Sequence, residues 1–146
     1  MLNTQTVANT ILMLSFEENI KITPMKLQKL LYFLYKGYLK ETGFSLFTEK
    51  FEKWQYGPVL PSIYYEFNSF GASFITKFAR DAKGNVEVID MSRNSPLTLI
   101  VRKTWDFYKT YSAVSLSRLT HQEDTAWSKA RYQLEDEDIK NERELR

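Results

Sequence analysis

One histidine, His121, stands between Thr120 and Gln122 with Glu123 two residues on, and it is the sole histidine of the chain. A histidine beside a carboxylate can poise a general base, and a base needs a hydroxyl or thiol nucleophile within reach. No cysteine is present, which removes thiolate metal sites, iron–sulfur clusters, disulfides and cysteine nucleophiles together. A zinc site would have to fill its other positions with carboxylates, an uncommon ligand set. The five glycines are scattered and form neither GxGxxG nor GxxxxGK[ST], so no phosphate-cradling loop is expected. A lone histidine at a helix junction reads first as a structural hydrogen-bonder. Catalytic residues, metals and cofactors are therefore not expected, and binding is the better reading.

The most unusual run is Trp54-Gln55-Tyr56-Gly57-Pro58-Val59-Leu60-Pro61. Two large aromatics precede a rigid turn, and two prolines frame a helix start. Tryptophan and tyrosine are the residues protein interfaces use most as anchors, whereas a strand-to-helix corner would bury the same rings as core. Different rings of this run can do either. A second candidate is Ser115–Arg131, which could form two helices of a helix-turn-helix with Lys129 and Arg131 on the second. Against it, Trp127 and Ala130 recur at core spacing and Glu123 and Asp124 in the turn would be repelled by phosphate.

The elements that must position these residues are mostly helical. Val7, Ile11 and Leu14 mark a helix over Thr4–Phe16. Thr23 caps and Pro24 opens a second one, whose Leu27, Leu30, Leu31, Leu34, Tyr35, Tyr38 and Leu39 form one broad face up to Gly43. Lys26, Gln28, Lys29, Lys36 and Lys40 fall mostly on its other side. Phe51–Tyr56 is short and aromatic, and Pro58 can begin a helix bearing Tyr64, Phe67 and Phe70 up to Gly71. Alternation over Phe74–Phe78 and Val86–Ile89 around a polar Asp81–Asn85 turn predicts a β-hairpin. Ser95-Pro96 opens a helix through Tyr108, Ser112–Leu119 is a short helix, and Asp124 caps another over Thr125–Tyr132. Asp136–Leu145 reads as a charged C-terminal helix. The expected fold is mainly α: one compact helical domain over residues 1–146 with a small antiparallel β-hairpin or sheet insertion.

Charge and hydropathy bound the rest. The formal charge is +2, unevenly placed: residues 135–146 hold six acids and three bases, leaving +5 on residues 1–134. That mild excess does not by itself argue for nucleic acid. No apolar run approaches the ~18–20 residues that span a bilayer, and the polar start, Met1 to Asn9, does not read as a signal peptide. A cytoplasmic protein without membrane contact is expected.

Three ordered blocks of residues resemble the Panacea-domain antitoxin family of SocA-like and phage-associated GepA-type proteins. The first is Ile22-Thr23 followed by Lys26-Leu27-Gln28-Lys29-Leu30-Leu31-Tyr32. The second is Trp54, Tyr56-Gly57-Pro58-Val59, Pro61, Tyr64 and Phe67. The third is Tyr111-Ser112-Ala113, Leu116, Leu119-Thr120-His121-Gln122 and Trp127-Ser128-Lys129-Ala130-Arg131. The resemblance spans about residues 4–140, with Ala126 where the family usually carries proline. It implies an antitoxin of a type II system, encoded in bacteria or their prophages, that neutralises a cognate protein toxin by direct binding without metal or cofactor. For some members it also implies an adaptor that delivers the toxin to a protease. On this reading the partner-binding residues are Trp54, Tyr56, Pro58, Pro61, His121, Gln122, Glu123 and Trp127; the alternative is a prophage DNA-binding regulator using residues 115–131.

Overall fold

The computed structural model describes residues 1–145; Arg146, one of the bases counted in the tail, lies outside them. Among the described residues the chain runs through α1 (Thr4–Glu18), α2 (Pro24–Thr42), β1 (Glu52–Trp54), β2 (Gly57–Val59), α3 (Pro61–Phe67), α4 (Pro96–Tyr108), α5 (Ala113–Thr120), α6 (Ala126–Lys129) and α7 (Asp136–Asn141). The fold is mainly α with one small antiparallel hairpin.

The α2 helix begins and ends where its residues dictate. Thr23 Oγ1 accepts from the Lys26 amide at 3.2 Å, Pro24 takes the first turn, and Gly43 closes the helix at φ 78°. Its surroundings are different from the one-sided packing expected of it. Helices α1, α3, α4, α5 and α7 and strand β2 all pack on α2, so Lys26, Gln28, Lys29 and Lys36 are buried. The expectation that these four occupy an outer face is corrected, whereas Lys40, in the last turn, is exposed as expected. Each of these buried polar groups has a partner, as desolvation requires. Lys26 Nζ donates to Lys109 O. Lys36 Nζ pairs with Glu142 at 2.7 Å and donates to Arg143 O at 2.8 Å. The Tyr32 hydroxyl sits 3.0 Å from both Glu142 oxygens, and the Ala126 amide donates to Oε1 of the same carboxylate at 2.9 Å. Burial and the adjacent Glu142 carboxylate drive the Tyr32 hydroxyl well above its ordinary pKa.

Residues 74–90 form no strands, which corrects the hairpin expected there. The polar turn exists: Asp81 Oδ1 accepts from the amides of Lys83 and Asn85, each at 2.9 Å. The arms do not pair because α1 takes their backbone groups. The Asn9 amide accepts from Ala79 N at 2.9 Å and donates to Ala79 O at 2.8 Å and Glu87 O at 3.3 Å. Thr10 Oγ1 accepts from Ile89 N at 2.8 Å. Two buried polar side chains thus strap a long loop across α1.

The hairpin is instead β1–β2, joined by Gln55-Tyr56, with Glu52 opposite Val59 and Trp54 opposite Gly57. Pro58 lies in β2 and opens no helix; α3 starts at Pro61. Residues 132–134 run beside β1, with Lys53 N donating to Tyr132 O at 2.7 Å and Leu134 N to Phe51 O at 2.8 Å. That pairing ends α6 at Lys129, short of the expected Tyr132. Its cap is Thr125, whose Oγ1 accepts from Ser128 N at 3.1 Å, whereas Asp124 sits before it at φ 62°. The terminal helix stops at Asn141, not Leu145, because Glu142 turns inward to Lys36.

Candidate partner-binding site

A two-residue turn depends on backbone conformation and on what the backbone can approach. Gly57 adopts φ 121°, and a Cβ there would stand 2.7 Å from Thr120 Oγ1 and 2.8 Å from Lys29 Cε. Only glycine combines that dihedral with that proximity. The turn therefore lies directly on α2 and α5, and its carbonyls are within reach of their side chains.

Those carbonyls are held one after another. Trp127 Nε1 donates to Trp54 O at 2.8 Å, and His121 Nε2 faces Gln55 O at 2.7 Å. Ser117 Oγ donates to Tyr56 O at 2.6 Å and Lys29 Nζ to Pro58 O at 2.9 Å. Gln28 then brackets Leu60, donating to its carbonyl at 3.1 Å and accepting from its amide at 2.9 Å. The hairpin is consequently fixed by side chains from three separate parts of the chain, far beyond what two three-residue strands could do alone. The Trp127 ring is itself contacted by His121, centroids 4.0 Å apart, and by Lys53 Nζ at 4.6 Å.

With the backbone anchored inward, aromatic side chains face outward. Tyr56 is 62% exposed and Tyr65 70%. Trp54 is half-buried, with its ring 4.7 Å from that of Tyr64. Its indole donates to Glu52 at 2.9 Å, and the exposed Tyr132 hydroxyl donates to the same carboxylate at 2.8 Å. Beside this face lies a cleft of about 460 Å³ lined by Met25, Trp54, Tyr56, Ile63 and Tyr64, with Lys29 also in its wall. Burial alone pushes the Lys29 ammonium down to about 7.

The residues expected to bind a partner therefore divide. Trp54, Tyr56, His121 and Trp127 meet at the turn, the first two as surface and the last two as supports. Pro58 is buried, contributing its carbonyl to Lys29. Pro61 begins α3 outside the cleft wall. Gln122 and Glu123 belong to the C-terminal segment's surroundings, bonded by Arg143 at 2.9 Å and, through the Glu123 carbonyl, 3.4 Å. His121 is poorly placed as a base: its Nδ1 faces Ser117 O at 2.6 Å, and the nearest hydroxyl, buried Thr120 at 3.3 Å, already donates to Ser117 O. Helix α6 is four residues long, too short to lie along a groove as a recognition helix. Ser117, Gln28 and Lys29 hold the turn although none was an expected site residue. Their signal was polar residues embedded among Leu27, Leu30, Leu31 and Leu34, on a helix apolar around most of its circumference.

Residues 27–128 match the family described as antitoxin SocA-like, Panacea domain. The chain belongs to that family. The matched span contains Gln28, Lys29, the hairpin, Ser117, His121 and Trp127, so every side chain that holds the turn lies inside the Panacea domain. Antitoxin SocA of Caulobacter vibrioides (strain NA1000 / CB15N) is 39% identical over 69 residues, 47% of this chain and 37% of that relative. The chain thus aligns with well under half the length of that relative. No solved structure matches. Among the described residues, no helix is long and apolar enough to cross a membrane.

Proposed function

We propose that this Panacea-domain protein is an antitoxin of a type II system that neutralises a cognate protein toxin by direct binding, using the aromatic face of the Trp54–Gly57 turn. The observation that carries the reading is the combination of a backbone held at four carbonyls, those of Trp54, Gln55, Tyr56 and Pro58, with exposed rings of Tyr56, Tyr64 and Tyr65. Rigid tyrosine and tryptophan side chains give large contact area at small ordering cost, which is what a binding hot spot needs. Membership of an antitoxin family and the likeness to antitoxin SocA support it. Co-expression of this chain with the product of its neighbouring gene tests it. Growth is expected to return when both are made; a neighbour that is harmless, or whose toxicity persists beside this chain, refutes the reading.

Delivery of the bound toxin to a protease is a further use of the same complex. It is tested by whether toxin half-life shortens in cells that contain this chain. The DNA-regulator alternative finds no specific support, since α6 stops at Lys129, where its second helix would have to continue.

A further inference from the structure

The cleft beside the turn contains one cation and no acid. Lys29 is buried, and among the described residues its ammonium has one hydrogen-bond partner, Pro58 O at 2.9 Å. An ammonium has three donors. The one buried carboxylate among the described residues, Glu142, is already taken by Lys36 and Tyr32. No aspartate or glutamate is found among the residues lining the cleft. The titratable groups beside Lys29 are Lys26 and Tyr32, three residues away on either side in its own helix, and Tyr56 of the turn and Tyr64 of α3, which share the cleft wall with it. None of these supplies a negative charge at neutral pH. The other lining side chains are apolar or aromatic, Met25, Trp54, Val59 and Ile63 among them, or are the uncharged amides Gln28, Gln55 and Asn68.

We infer that this cleft takes an acidic side chain of the partner protein, a glutamate or aspartate flanked by apolar residues, whose carboxylate pairs with Lys29 Nζ while its neighbours pack on Trp54, Tyr56 and Tyr64. The inference rests on the reading that the turn face is the docking surface, and names what that surface selects. A buried ion pair usually loses in desolvation much of what it gains in attraction. Here the cation is desolvated in the free protein, so that part of the cost is met by folding and not by binding. The carboxylate also supplies an acceptor to donors that have none. Charge complementarity inside a wall that carries no other charge is a specificity device: an amide of the same shape lacks the charge that Lys29 calls for.

The pH dependence follows from the state of Lys29. Its ammonium is held down to about 7 by burial, so below that value it is charged and ready for a carboxylate. Above it a proton must be taken up on binding, and affinity for the acidic segment falls.

The test uses the whole chain, immobilised, with two pools of capped pentapeptides that differ only in a central glutamate or glutamine between randomised apolar positions. The expected result is about a tenfold preference for the glutamate pool at pH 6, shrinking toward parity by pH 9. Lys29→Met, with its fold checked by circular dichroism, is expected to show no preference at any pH. The wild-type pH series stands by itself if that variant does not fold. Equal recovery of both pools by the wild type at pH 6, recovery of neither, or a preference unchanged at pH 9 would overturn the inference. Toxin rescue in cells without any glutamate preference overturns the cleft assignment alone and leaves the antitoxin reading standing.

Discussion

Replacing Lys29 by methionine removes a charge while keeping the length and most of the volume of the side chain. In the folded chain Lys29 loses its proton at about 7, against an ordinary 10.5, because it is desolvated. Between those values the unfolded chain binds a proton that the folded chain does not, so stability rises with pH across the window, at most by about 1.4 kcal/mol per pH unit. Below pH 7 both states are protonated and the full penalty applies, on the order of 4–5 kcal/mol. Lys26 and Lys36 are depressed in the same direction by burial, but they are present in both proteins and cancel in a comparison. Tyr32 and Tyr35 are raised by burial; their contribution is fully present below pH 10 and is lost only above it, outside the range used. Urea unfolding of wild type and Lys29→Met at pH 6, 7, 8 and 9 isolates the effect as the difference between the two curves. The wild type is expected to gain about 2–3 kcal/mol on the variant between pH 7 and pH 9. The lost bond to Pro58 O shifts the whole difference without giving it that slope. A difference that stays flat within about 0.5 kcal/mol would show that Lys29 is not a desolvated cation, and the argument built on it would fall.

Four further substitutions probe the framework. Gly57→Ala meets both a disfavoured dihedral and the Thr120 and Lys29 side chains and is expected to cost roughly 2–4 kcal/mol, whereas Gly84→Ala, with φ 83° and open space around it, should cost about 1; thermal melts that rank them the other way would contradict the packing of the turn. Glu142→Ala leaves Lys36 buried without its carboxylate and removes the acceptor of Tyr32 and of the Ala126 amide, so chemical denaturation should show a loss of about 3–5 kcal/mol. Asn9→Ala frees the Ala79 amide and two loop carbonyls; hydrogen exchange should speed at Ala79 by at least about tenfold with little change along α2.

The helices whose starts carry their own chemistry were legible in the sequence. Thr23-Pro24, Ser95-Pro96 and Ser112 each cap where expected, because a capping hydroxyl and a first-turn proline act on the few residues beside them. What could not be read was set by distant groups. The alternation over 74–90 is real, yet Asn9 and Thr10 on α1 claim the backbone that would have paired. Thr125–Tyr132 has a helical pattern, but β1 draws residues 132–134 out into an extended run. Lys26, Lys29 and Lys36 of α2 look like part of a solvated face until five helices close around it. The candidate site shows the same division. Trp54 and Tyr56 stand out by residue type alone. The supporting roles of His121, Trp127, Ser117 and Lys29 depend on a turn that lies more than twenty residues from any of them.

The proposed antitoxin role requires that the turn face be the surface that grips the toxin. Isothermal titration of this chain with the purified product of the neighbouring gene, wild type beside Tyr56→Asp, tests it most directly. Tyr56 is exposed and holds the fold through its carbonyl, not its ring, so the variant should melt like the wild type. Leu99→Asp, at an equally exposed position on α4, serves as the control. The expected result is tight binding by wild type and Leu99→Asp, and at least a thirtyfold loss for Tyr56→Asp, about 2 kcal/mol. Undiminished binding by a folded Tyr56→Asp would contradict the claim.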